Sequence, residues 1–115
     1  MKGFNRLEAA ALEAVAAGYP DHTAALLAQF RNATVTKRTN SGAGFWTDFA
    51  VDRAAAPPVP ISGDRLGATG DIEGLVDPIL FFVLLRDGYS VQIEGAAIRD
   101  DTSAVDFDAV AFTVR

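Results

Sequence analysis

The strongest constraint on this chain is local. Ile79-Leu80-Phe81-Phe82-Val83-Leu84-Leu85-Arg86 runs into Asp87-Gly88 and then into Tyr89-Ser90-Val91-Gln92-Ile93-Glu94-Gly95. Two apolar runs parted by Asp-Gly predict a β-hairpin with a two-residue type I′ turn, because both central residues of that turn need positive φ. A straight ladder from the turn sets Leu84 opposite Val91 and Phe82 opposite Ile93, a face that reads as core. On the other face Leu85 meets Ser90, Val83 meets Gln92 and Phe81 meets Glu94. That second face is apolar on one strand and polar on its partner, so Phe81, Val83 and Leu85 are expected to need cover from elsewhere.

The N-terminal segment has a different period. Phe4, Leu7, Ala11, Leu12 and Val15 recur at three- and four-residue steps, the stripe of an amphipathic helix, with Arg6, Glu8 and Glu13 mainly off it. Gly18 reads as the stop and Tyr19-Pro20 as the turn. Asp21 is placed to cap a second helix over roughly His22 to Arg31, whose apolar face is Leu26, Leu27 and Phe30. From Ala33 the chain turns β-branched. Thr34 to Thr39, a loop at Asn40-Ser41-Gly42, and Gly44 to Val51 read as a second hairpin. A three-residue loop puts Ala33, Val35 and Lys37 on the face of Phe45, Thr47 and Phe49. It puts Thr34, Thr36 and Arg38 with Trp46 and Asp48.

Ala54 to Pro60 contains three prolines and cannot pair as a central strand, so it reads as an extended connection. Gly67 to Glu73 reads as a weak strand, Asp100 to Asp108 as an acidic connection, and Val110, Phe112 and Val114 as a last strand. The fold expected is α+β, one domain over residues 1–115, with two N-terminal helices packed on a mostly antiparallel sheet of about five to six strands.

Composition narrows function by exclusion. The formal charge is −5, and Lys37-Arg38 is the one local basic pair. Nucleic-acid affinity rests on Lys and Arg displacing counterions, so no nucleic-acid partner is expected. There is no cysteine, which removes thiol catalysis and Cys-based zinc sites and agrees with a reducing, cytoplasmic setting. Arg6, Glu8 and Glu13 interrupt the alanine-rich N-terminus, so it does not read as an export signal. The run Ile79 to Leu85 falls far short of the ~20 residues that span a bilayer, so no membrane partner is expected either.

A wider pattern joins these segments: Thr39, Gly42, Gly44, Phe45, Trp46, Thr47, Phe49 and Val51; Glu73-Gly74-Leu75; Asp87-Gly88; and Ile93-Glu94-Gly95. From Leu7 to Gly95 this resembles a group of small uncharacterised bacterial proteins of similar length. The resemblance implies an α+β fold and a bacterial cytoplasmic setting, and it implies no activity. The chain departs from the group's pattern after Gly95, where Ala96-Ala97-Ile98 stand in place of aromatic residues and a Trp-Pro.

The candidate sites are few. His22 beside Asp21 invites an acid–base reading, but adjacent helical residues point apart and no third group orients the pair, so an exposed first turn is the plainer reading. Glu94 sits mid-strand beside apolar residues; if covered it needs a partner, and otherwise it belongs to a solvated face or a structural hydrogen bond. Trp46, with Arg38 and Asp48 on its expected face, could be a ligand platform or interface anchor. It could equally pack under Pro57-Pro58 with Arg38 stacked on its ring. The glycines from 63 to 74 match no phosphate-binding motif, and the aspartates at 100, 101, 106 and 108 lack calcium-loop spacing. No metal site, cofactor or catalytic residue is expected. Three functional readings follow, in order. The first is a non-enzymatic interaction module forming a homodimer through Phe81, Val83 and Leu85. The second is a small-molecule binding domain with a pocket between helices and sheet, drawing on Arg38, Trp46, Asp48 and Glu94. The third is an enzyme using Glu94 in a cleft.

Overall fold

The computed structural model of the protein describes residues 1–61 and 63–115. Helix α1 spans Arg6–Ala17. A 3-10 turn at Pro20–His22 leads to α2, Thr23–Arg31. Six strands follow: β1 Ala33–Asn40, β2 Gly44–Val51, β3 Arg65–Ile72, β4 Ile79–Arg86, β5 Tyr89–Ala97 and β6 Phe112–Val114. They form one antiparallel sheet in the order β1-β2-β5-β4-β3-β6. The expected α+β fold, with both helices ahead of the sheet, is the fold observed. Among the described residues no helix is long and apolar enough to cross a membrane.

Local chemistry explains the ends of the elements. Asn5 caps α1 by accepting from the Glu8 N–H at 2.8 Å, while the Glu8 carboxylate accepts from the Asn5 N–H at 2.8 Å, a reciprocal capping box. Gly18 ends the helix, as its position suggests. Asp21 does not cap α2. The preceding residues wind into the 3-10 turn, and no side chain caps the α2 N-terminus. At the β4–β5 hairpin Asp87 and Gly88 take φ of 53° and 80°, as a type I′ turn requires.

Two register shifts decide which side chains face the helices. In β4–β5 the pairing Leu85↔Ser90 follows the straight ladder, but the next pair is Leu84↔Gln92, leaving Val91 unpaired. Beyond this bulge Val83 pairs with Ile93, Phe82 with Glu94 and Phe81 with Gly95. A bulge of one residue reverses the facing of everything past it. Here it lets Ile79, Phe81, Val83 and Leu85 share the inner face with Ile93. All five are buried with Leu7, Ala11, Leu12 and Val15 of α1 in one core. The expectation of an open face on Phe81, Val83 and Leu85 is therefore corrected. The straight ladder would have set Phe81, Val83 and Leu85 across from polar partners, and the bulge instead brings Ile93 onto their face. The outer face of β4 carries Leu80, Phe82 and Leu84, all partly exposed.

The β1–β2 pair repeats the device. Ala33↔Val51 and Val35↔Phe49 keep the expected facing, although each pair is offset by two residues from the register of a three-residue loop. Past a bulge between Val35 and Lys37 the pairs become Lys37↔Asp48, Arg38↔Thr47 and Thr39↔Trp46. Lys37 moves to the outer face and Arg38 to the inner one, the reverse of the straight-ladder expectation.

A buried amide ties the layers together. Gln29 of α2 is fully buried. Its Nε2 donates to the carbonyls of Pro57 (3.0 Å) and Gly88 (2.9 Å), and its Oε1 accepts from the Ser90 N–H (2.8 Å) and hydroxyl (2.9 Å). The proline-rich connection is thereby held against the β4–β5 turn, where the Val59 N–H also donates to the Gly88 carbonyl at 2.8 Å.

Candidate functional site

The residues expected to act together fall into two places. Trp46, Asp48 and Glu94 share the outer face of the sheet, and Arg38 lies on the inner side. On the outer face the Trp46 indole donates Nε1–H to Glu94 Oε2 at 2.5 Å, and Gln92 donates to Asp48 Oδ1 at 2.7 Å. Trp46 is 41% exposed. The Pro57-Pro58 segment lies instead at Gln29 and the β4–β5 turn, and Arg38 is bound elsewhere, so the reading of Trp46 as packed beneath both is replaced by an open position. Glu94 is partly exposed on an uncovered sheet face rather than enclosed in a cleft. His22 is partly buried at the end of the 3-10 turn, in a shallow surface recess with Asp21, Tyr19 and Pro60.

Arg38 belongs to a network that the helical stripe conceals. Glu8 is 1% exposed, one step from the apolar stripe of α1. Arg38 grips it with Nε–H to Oε2 at 2.9 Å and Nη2–H to Oε1 at 2.8 Å. The Thr47 hydroxyl donates to Oε2 as well, and the Asn5 N–H to Oε1. Four donors thus satisfy a carboxylate that would otherwise be costly to bury. Arg38 also donates to the Gly3 carbonyl at 2.6 Å, and its hydrogen bond to Glu8 raises its guanidinium above the usual value. The bulge in β1 makes this possible by turning Arg38 toward α1. The sequence signal for Glu8 is the Asn5-x-x-Glu8 spacing, a capping box whose glutamate is held at the helix start.

The acidic connection is tethered. Thr102, fully buried, accepts from the Gly44 N–H at 2.8 Å and donates to Asn40 Oδ1 at 3.1 Å. Asp100 accepts from the N–H groups of Val76 (3.0 Å) and Asp77 (3.1 Å), beside a bidentate Arg99–Asp77 ion pair that holds the Asp77 carboxyl below its usual range. Asp108 accepts from the Asn5 side-chain amide at 2.8 Å. Between Asp106 and Asp108, Phe107 packs on Phe45 with ring centroids 4.9 Å apart. Among the described residues no three acidic or histidine side chains converge as a metal site.

These tethers enclose a pocket of about 210 Å³ between the start of α1, β1–β2 and the 105–108 segment. Its lining includes Glu8, Arg38, Phe45, Trp46, Thr47 and Phe107 with Asp106 and Asp108. Of the residues proposed from sequence for ligand binding, Arg38 and Trp46 reach it; Asp48 and Glu94 do not line it. Comparison of the chain with protein-family models, curated proteins and solved structures finds no match in any of the three.

Proposed function

We propose that this chain is a non-enzymatic interaction module that pairs with a second copy of itself through the outer face of its sheet. The observation that carries the reading is the layout of that face. Leu80, Phe82 and Leu84 run down β4 as a partly exposed apolar stripe. On one side stand Glu94 and Asp48, hydrogen-bonded to the neutral Trp46 and Gln92 and in no ion pair among the described residues, with Lys37 across the strands from Asp48. On the other side stands Arg65, its guanidinium 5.5 Å from the Phe82 ring centroid and unpaired with any carboxylate among the described residues.

A two-fold axis running along β4 lays the acidic side of each copy over the basic side of the other. That is the self-complementarity an isologous contact needs. Four strands at ~4.8 Å spacing and about eight residues at ~3.3 Å rise give roughly 500 Å² per copy. The total of about 1,000 Å² is at the lower limit for specific association, which points to a dissociable dimer.

Light scattering and sedimentation from micromolar to near-millimolar concentration test the reading. The expected result is a concentration-dependent dimer that Phe82→Asp abolishes. Arg65→Glu should weaken it, and the added change Glu94→Arg should restore it. A strict monomer throughout, or a dimer indifferent to Phe82→Asp, would refute the proposal.

A further inference from the structure

The pocket beside α1 carries a separate reading, independent of self-association. Its ionised lining consists of Glu8, Asp106 and Asp108 against the single cation Arg38. Arg38 is already committed to Glu8 through a bidentate pair, so these two charges cancel. Asp106 and Asp108 have no Lys or Arg partner within ion-pair distance among the described residues. The pocket therefore keeps an excess of negative charge. The carboxylates also do not converge as a metal site. Beside them stand the tilted rings of Phe45 and Phe107. Carboxylates and aromatic rings are the two elements that recognise organic cations, the first through charge and the second through the negative face of the ring, and both line this pocket. At about 210 Å³ the pocket is smaller than the ~300–1,000 Å³ of a drug-sized site, so it suits a compact group.

We infer that the pocket formed by Phe45, Phe107, Asp106 and Asp108 binds a small organic ammonium group, presented either by a free amine or by a lysine side chain of a protein.

The test is a titration followed by backbone amide NMR shifts and Trp46 fluorescence, done on the Phe82→Asp protein as well so that dimerisation cannot enter. Phenethylammonium is the probe, 2-phenylethanol its neutral analogue, and an acetylated, amidated lysine tripeptide the second source. The expected result is saturable shifts confined to Asn5, Phe45 and residues 105–108. The neutral analogue should bind more weakly, and Asp106→Asn should weaken the amine by up to about fivefold, the most an exposed ion pair contributes. Raised salt should weaken it further. Binding of phenethylammonium alone assigns a free amine, and comparable binding of the tripeptide assigns a lysine side chain. Equal affinity for the neutral analogue would overturn the inference. So would the absence of saturable shifts from both cationic probes in a protein whose spectrum shows it folded.

Discussion

Gly44→Ala tests a close backbone approach in the sheet. Gly44 opens β2 at φ +126°, opposite β5. A Cβ there would lie 1.8 Å from the Gly95 carbonyl oxygen and 2.8 Å from its carbon. Carbon–oxygen contacts across strands settle near ~3.3 Å, so β2 must withdraw by about 1.5 Å at this end. The strands cannot dilate that far and keep the local ladder. Two bonds go with it: Ala97 N–H to the Ala43 carbonyl (2.9 Å) and Gly44 N–H to the Thr102 hydroxyl (2.8 Å). Each contributes about 1 kcal/mol. The positive φ adds about 1–3 kcal/mol for a residue with a side chain. The expected loss is about 3–5 kcal/mol, a large part of the ~5–15 kcal/mol that holds a domain folded. Gly74→Ala is the control, since Gly74 has φ +92° but nothing within 4 Å of its would-be Cβ. It should show only the backbone component, about 1–3 kcal/mol. Urea unfolding by circular dichroism and Trp46 fluorescence measures both. Equal losses in the two variants, or a Gly44→Ala loss below about 0.5 kcal/mol, the usual size for a surface change, would refute the close Gly44–Gly95 approach.

Other consequences follow from single contacts. Arg38→Met removes two of the four donors to buried Glu8 and should cost about 2–3 kcal/mol, below the full range for a buried pair because the Arg38 side chain is 41% exposed. Adding Glu8→Gln should recover part of that loss in a double-mutant cycle of urea midpoints, and no coupling would contradict the network. Gln29→Leu strands the Pro57 carbonyl and the Ser90 N–H and hydroxyl, and leaves the Gly88 carbonyl only the Val59 N–H, so a loss of about 2–4 kcal/mol is expected, with faster amide exchange at the β4–β5 turn. Arg99 holds the Asp77 carboxyl below its ordinary value. A lowered carboxylate supports the fold above its ordinary value, and that support fades as pH falls through the lowered one. Arg99→Gln should therefore move the Asp77 carboxyl titration upward in carbon-detected NMR, whereas an unchanged titration would rule out Arg99 as the cause.

The close approach of Gly44 to Gly95 also shows how a sequence pattern acquires its reason. A Cβ at Gly95 would stand 2.3 Å from the Phe45 ring, so the glycine at the end of Ile93-Glu94-Gly95 makes room for the aromatic that follows Gly44. Both glycines were visible in the sequence, but their mutual contact was not. Glu8 lay one position from the apolar stripe of α1 and read as off it. It is buried because Arg38 arrives from a strand 30 residues away to neutralise it. The ligand group expected from sequence divided for the same cause: a straight β1–β2 ladder puts Arg38 beside Trp46 and Asp48, and the bulge removes it to the opposite face. Asp106, Phe107 and Asp108 were read only as part of an acidic connection, because their placement depends on Thr102 and Asn5, distant in sequence.

What the sequence alone determined is what a few neighbouring residues can decide. Asp87-Gly88 sets the positive-φ turn, Gly18 ends α1, alternation marks β2 as a strand and an unbroken apolar run marks β4 as another. What only the tertiary structure decided is which way those strands face. The polar–apolar mismatch across Phe81 and Glu94 looked like an uncovered surface, and it is resolved by one unpaired residue, Val91. A bulge costs little locally and reverses the facing of the residues beyond it. Its position is therefore chosen by the burial of Phe81, Val83 and Ile93 against helices far away in the chain, a sum that no local pattern contains.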